Sequence, residues 1–203
     1  LKKNNQYKIR SKFINHSKKF KNEIDYLKSI KLKAKKIKIN NSNVGRASQM
    51  CMKTNQFNNS LERLNESEIL EINKNTKNEI FLFDLKDIYG DHGIVGLVIC
   101  EIVEKSIIIR NFLMSCRVLG RSLEKWALGE VKQFATKRNI NKIYINFEDK
   151  KINKVAKLFI TSSGFVKLNK NEYLNNLKRY KLKSLYKLDV YKISNSYKSI
   201  YKI

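Results

Sequence analysis

Residues 115–128 read SCRVLGRSLEKWAL. They follow SIIIRNFLM (106–114), a run of β-branched and apolar side chains that predicts a strand. They lead into Leu123, Trp126, Ala127, Glu130, Val131 and Phe134, mostly apolar at helical steps, which predict a helix over 122–138. The junction between them is Arg117-Val118-Leu119-Gly120-Arg121-Ser122. Gly120 allows φ > 0 and lets backbone approach a ligand closely. Ser122 is a suitable N-cap for the helix. Free amides and the positive end of the helix dipole favour an anion there. Arg117 and Arg121 would add charge-assisted donors. The turn therefore suits a phosphate or pyrophosphate held by the amides of Val118 to Ser122. The same six residues also serve as an ordinary capped turn, and the hexapeptide alone does not separate the two.

Outward from this junction the pattern is that of a sheet with helices. EIFLFDL (79–85) and IVGLVICEIV (94–103) predict two strands before 106–114, with a two-residue turn at Glu104–Lys105, hence an antiparallel meander. KIYINF (142–147) and YKLDVYKI (186–193) predict two more. NKVAKLFITSSGF (153–165) predicts a short helix closed by Gly164. Asn65 followed by Glu68 predicts a capping box. Upstream, NEIDYLKSI suits one short helix, and KLKAKKIKI suits an edge strand or a connector. The stretch VGRASQMCMKTNQFNNS (44–60) reads as polar.

The net charge of +25 first suggests nucleic acid. Its distribution weakens that reading. Residues 1–39 carry 14 basic and 2 acidic side chains, and residues 167–203 carry 10 and 2, so the middle of the chain is near balance. Of the 43 basic residues 35 are Lys, beside 24 Asn and 24 Ile, a bias that AT-rich codons alone produce. Arginine, suited to bidentate phosphate contacts, is scarce. Tail tyrosines Tyr173, Tyr180, Tyr186, Tyr191, Tyr197 and Tyr201 interleave with Lys, which is also the pattern of a base-stacking surface. No apolar run is long enough for a membrane span, and the N-terminus lacks the apolar stretch of a signal peptide. Cys51, Cys100 and Cys116 lack metal-ligand spacing and read as reduced thiols of a cytoplasmic protein. No metal is expected. The first residue is Leu, as in a piece of a longer chain.

RVLGRS resembles the R/Q-x-x-G-x-G/A acyl-coenzyme A signature of the GNAT acetyltransferase superfamily, with Ser122 in place of the last small residue. Asn153, Ala156, Phe159 and Gly164–Phe165 resemble its second signature, N-x-x-A-x-x-[LF]-Y-x-x-x-G-F. The resemblance implies that Asn153 touches the pantetheine arm. The Tyr that would protonate the leaving thiolate is replaced by Ile160, which has no proton to give. KTNQFN (53–58), YGDHGIVGLV (89–98) and FLMSCRVLGRSLE (112–124) look more narrowly like the C-terminal, GNAT-like half of FkbH-like proteins. EIDYLKSIKLKAKKI resembles the connector from their HAD-type phosphatase half, whose D-x-D-x-T motif is not in this sequence. That family is associated with placing a glyceryl unit on an acyl carrier protein.

The resemblance implies an α/β, GNAT-like fold: a mixed, mostly antiparallel sheet flanked by helices. It places a basic connector at 1–43, the acyltransferase domain at 44–193 and a basic tail at 194–203. It implies coenzyme A or the phosphopantetheine of an acyl carrier protein as cofactor. The implied partners are that carrier and a phosphatase domain in the same or a separate chain. Cys116, beside an arginine and a helix start, suits an acyl acceptor; equally, it suits a small packed residue. Asp91 suits a general base, although Asp-x-Gly is common turn chemistry, and His92 is a weaker candidate. Asn55 and Gln56, in KTNQFN with Lys53 and Asn58, suit a hydroxyl-bearing substrate or an ordered loop. Two other functions stay open: a non-catalytic carrier-docking domain and a nucleic-acid-binding module.

Overall fold

The structure is a computed structural model that describes residues 19–168 and 184–190. Its strands are β1 (Lys33–Lys38), β2 (Asn78–Asp87), β3 (Gly90–Val103), β4 (Ser106–Met114), β5 (Lys142–Asn146), β6 (Val166–Lys167) and β7 (Leu185–Asp189). Its α-helices are α1 (Glu23–Ser29), α2 (Val44–Lys53), α3 (Glu66–Lys74), α4 (Leu123–Thr136) and α5 (Lys154–Ser162). Among the described residues the strands form one sheet in the order β1-β2-β3-β4-β5-β7-β6. All neighbours are antiparallel except β4 and β5, which run parallel across the α4 crossover. This is the mixed, mostly antiparallel sheet that the resemblance implies.

Both sheet faces are covered. On one, α1, α4 and α5 bury Tyr26, Leu27, Trp126, Val131, Ala156 and Phe159 against Phe83, Ile107 and Ile143. Edge-to-face contacts of Phe83 with Trp126 (5.4 Å) and Phe81 with Phe134 (5.3 Å) seat α4 on β2. On the other face, Val44, Ala47, Met50 and Cys51 of α2 and Ile69 of α3 cover Leu82, Leu97 and Leu113. Asn65 caps α3 through the predicted box, its side chain accepting from the Glu68 amide (2.9 Å) and its amide donating to the Glu68 carboxylate (2.7 Å).

Three findings differ from the sequence reading. Residues 44–53, which read as polar, form α2; their apolar side chains recur at helical steps among many polar ones. The border expected at residue 44 falls inside the fold, because β1 pairs with β2 from Lys33 to Lys38 and Leu27, Ile30, Leu32 and Ala34 are core. Tyr186 is not a surface stacker: it is buried on β7 with its ring 6.0 Å from Phe147. The other five tail tyrosines lie outside the described residues. No described helix is long and apolar enough to cross a membrane.

Gly96 on β3 lies beneath Met114. A Cβ there would sit 2.6 Å from the Met114 sulfur and 3.1 Å from Phe83 Cβ, and both side chains are buried. Gly96→Ala should therefore destabilise the chain by about 1–3 kcal/mol through overpacking, measured by urea denaturation.

Candidate functional site

The sheet opens where β4 and β5 part. They pair from Ser106/Lys142 to Ile109/Ile145, and β4 then runs on to Met114. The β3–β4 register skips one residue here, Cys100 facing Ile109 and Ile99 facing Asn111, so Arg110 is a bulge. Parting strands leave N–H and C=O groups on their inner edges, which must find partners. An extended, amide-bearing ligand is one solution.

This chain supplies its own. Phe57–Asn59, from the KTNQFNNS stretch, lies along β4: the Asn59 amide donates to the Phe112 carbonyl (3.2 Å) and the Met114 amide to the Phe57 carbonyl (3.0 Å). The Asn59 side chain accepts from the Phe112 amide and donates to the carbonyls of Arg110 (3.3 Å) and Asn146 (2.6 Å). One side chain thus bridges β4 and the end of β5. Glu148 donates its amide to the Asn59 carbonyl (2.8 Å). Asn153 completes the lock. Its amide group donates to the carbonyls of Asn58 (2.9 Å) and Glu148 (2.8 Å), and its oxygen accepts from the Lys150 amide (3.1 Å). The residue expected to touch a pantetheine arm therefore holds the chain's own strand.

The turn after β4 begins with the Ser115 amide donating to the Val95 carbonyl (2.7 Å). A single 3-10 turn, Cys116–Val118, follows. Gly120 has φ +87° and Ser122 φ +54°. Ser122 stands at the N-cap position of α4 but makes no capping bond; its hydroxyl donates to Glu23, whose carboxylate also pairs with Lys125 at 3.1 Å. Among the described residues none accepts from the amides of Leu119, Gly120, Ser122 or Leu123. Glu124 turns its carboxyl back to its own amide, and burial pushes its pKa up. Leu119, Gly120 and Glu124 edge an open cleft of about 530 Å³ between α4 and α5, lined also by Phe57, Leu158 and Phe159, whereas Ser122 and Leu123 are buried.

The two arginines part company. Arg121 is only 1% exposed. Its Nε donates to Asp87 Oδ2 (2.6 Å) and its Nη1 to the Arg117 carbonyl (3.1 Å), so it braces the turn from beneath and is no phosphate donor. Asp87 also accepts from the Tyr89 amide (2.8 Å) and faces His92 Nε2 at 3.0 Å. Burial alone would raise the Asp87 carboxyl; hydrogen bonds from His92 and Arg121 outweigh it and hold its pKa below the ordinary carboxylate value. Arg117 is half-buried, with Nε on Ser115 Oγ (3.2 Å) and Nη2 on the His92 carbonyl (3.3 Å).

The remaining candidates scatter. Asp91 is an exposed residue of the β2–β3 hairpin, paired with Lys86 Nζ (2.6 Å) and accepting from the Gly93 amide (2.9 Å). Lys86 is the main reason its pKa is lowered, which makes it a poor base. No hydrogen bond or ion pair joins it to Cys116 among the described residues. His92 is a buried partner of Asp87. Cys116 is half-exposed, whereas Cys51 and Cys100 are buried. Burial pushes the Cys51 thiol up to about 11 and Cys100 further still. Asn55 accepts from Arg63, and the carbonyl of exposed Gln56 accepts from the Ala156 amide (3.3 Å). Ile160 is core. Asp87, Asn59 and Glu124 were missed by sequence reasoning; the consecutive asparagines of KTNQFNNS were the one visible signal.

No family model and no curated protein matches this chain. Solved structures do. A GNAT-family acetyltransferase from Staphylococcus aureus Mu50 superposes with a TM-score of 0.60 at 16% identity, over 77% of this chain and 99% of that one. The PaiA N-acetyltransferase of Thermoplasma acidophilum, in complex with coenzyme A, gives 0.57 at 10% identity, over 77% and 98%. The ribosomal-protein-S18-alanine N-acetyltransferase of Escherichia coli gives 0.55 at 12%, over 80% and 97%. The chain therefore has the GNAT acetyltransferase fold.

Asp87→Asn leaves Arg121 buried beside a neutral partner and should cost about 3–5 kcal/mol in thermal or urea unfolding. Because the folded pKa of Asp87 is depressed, its contribution is complete above the unfolded carboxylate pKa, about 3.9, and fades as pH falls below that. The wild type should lose stability more steeply in acid than Asp87→Asn. Asn59→Ala strands the Phe112 amide and should cost about 1–3 kcal/mol, read in the same assay.

Proposed function

We propose that this chain is an acyltransferase-type domain that grips the phosphopantetheine arm of an acyl carrier protein or of coenzyme A in the cleft between α4 and α5. The observation that carries the reading is the pair of unengaged amides at Leu119 and Gly120, two residues that line that cleft beside the start of α4. Donors without partners at a helix start fit a phosphate. Gly120, at φ +87°, turns the backbone there without a side chain in the way. Leu158 and Phe159 offer apolar wall to the arm. The deep end fits less well, since Phe57–Asn59 fills the parting of the strands and Asn153 is already engaged.

In the transferase reading the Cys116 thiol attacks the carrier thioester. The new carbon–sulfur bond forms on Cys116, the old one breaks, and the carrier thiol leaves with the proton that Cys116 gave up. Positioning would supply most of the rate. The resemblance to FkbH-like proteins suggests a glyceryl or similar short acyl unit, prepared by a phosphatase in the same or another chain. The second reading is carrier docking without transfer. The strand lock at Asn59 and the apolar Ile160 favour it.

Intact-mass analysis after mixing with acyl-loaded carrier protein tests both. The transferase reading expects the mass of one acyl group on the wild type and none on Cys116→Ala. Binding without any mass gain leaves docking alone. Loading that survives in Cys116→Ala removes Cys116 as the acceptor.

Glu124 gives a pH test. Its raised pKa means that the carboxyl at the cleft is neutral below that value and charged above it, where it opposes a phosphate. Coenzyme A affinity, by calorimetry, should fall as pH rises through that range. Glu124→Gln should remove the fall and bind about 5-fold tighter at high pH, the worth of ~1 kcal/mol of repulsion between two like charges in a water-exposed cleft.

A further inference from the structure

Among the described residues nothing covers an apolar stripe that runs from the 3-10 turn at Lys151–Asn153 onto the outer face of α5. Ile152, Val155 and Leu158 follow one another at three-residue spacing and are 50%, 40% and 69% exposed. A rim of lysines surrounds them: Lys150, Lys151, Lys154 and Lys157. The nearby acids are already engaged, Asp149 with Lys157 and Glu148 with Lys150. Lys151 and Lys154 have no ion pair among the described residues. Lys150, Lys151, Lys154, Lys157 and Leu158 line, with Asp149, a hollow of about 410 Å³. Leu158 lines the α4–α5 cleft as well, so it forms the sill between the basic hollow and the site proposed for the arm.

We propose that this face of α5 is the docking surface for the acidic helix of an acyl carrier protein. The proposal rests on the arm-binding reading of the adjacent cleft and names the place where the arm's owner sits. The two free lysines match acidic side chains, and the stripe between them matches an apolar residue of the same helix. Burying such side chains favours association, while the lysines speed the encounter and set its register. A carrier seated here lies beside the cleft, and its arm reaches the Gly120 turn by crossing Leu158. A nucleic acid would leave the apolar stripe unmatched.

The test measures binding of the full chain to an acidic acyl carrier protein, in holo form, by calorimetry at low and moderate salt. Four proteins are compared: wild type, Lys151→Glu/Lys154→Glu, Ile152→Asn, and the control Lys33→Glu/Lys35→Glu on β1. Circular dichroism checks the fold of each, and coenzyme A binding is measured alongside. The expected result is about tenfold weaker carrier binding for the α5 lysine pair and a smaller loss for Ile152→Asn, with the control unchanged and coenzyme A affinity retained. An equal loss in the β1 control, or none in the α5 variants, overturns the surface. So does binding of duplex RNA or anionic vesicles that depends on the α5 lysines when the carrier does not bind. Coenzyme A binding without carrier binding defeats the docking surface and leaves the arm site standing. Carrier binding that depends on α5, without coenzyme A binding, does the reverse.

Discussion

The architecture depends on how the ends of β4 and β5 are kept apart without leaving their backbones unpaired. Two parallel strands that separate expose polar edges inside a core, and each orphan group there costs about 1–3 kcal/mol. Asn59 meets that demand from one position, bonding Phe112 and Arg110 on one side and Asn146 on the other. Asn153, at the foot of α5, fixes the backbone that carries it. The opening in the sheet and the seating of α5 are therefore one construction, and both walls of the cleft inherit their positions from it.

The turn around Gly120 is held from a second direction. Arg121 and Asp87 form a buried pair beneath it, with His92 closing the other carboxylate oxygen. Because Arg121 also holds the Arg117 carbonyl, the pair fixes the backbone of the turn; the Val118 and Arg121 amides are spent within it, and those of Leu119 and Gly120 are left unspent. Charge buried in this way adds little net stability but strongly penalises other arrangements. A turn braced from below and unpaired on the cleft side is already organised for an anion, so binding need not order it first.

Much of the frame was legible in the residues. The strands of the meander, α4 and the α3 capping box declare themselves through periodicity and cap chemistry, which are local. The turn's glycine and helix start were visible for the same reason. What escaped was set by distant partners. Nothing near Arg121 says that it will face Asp87 rather than a phosphate. Asn153 matched a signature, yet its amide is satisfied by Asn58, 95 positions away. Helix α2 was hidden because its four buried apolar residues are diluted by Arg46, Gln49 and Lys53. Asp91 and His92 looked alike as neighbours in a turn, and only the fold separates the exposed one from the buried one.

The central claim is that the amides beside Gly120 clasp a phosphate-bearing ligand. Amide-resolved NMR during a coenzyme A titration measures this directly. The account predicts that Leu119 and Gly120 shift and become protected from exchange with solvent, in proportion to ligand bound. It is contradicted if residues 119–124 stay unmoved at saturating ligand, or if the shifts gather at another part of the surface.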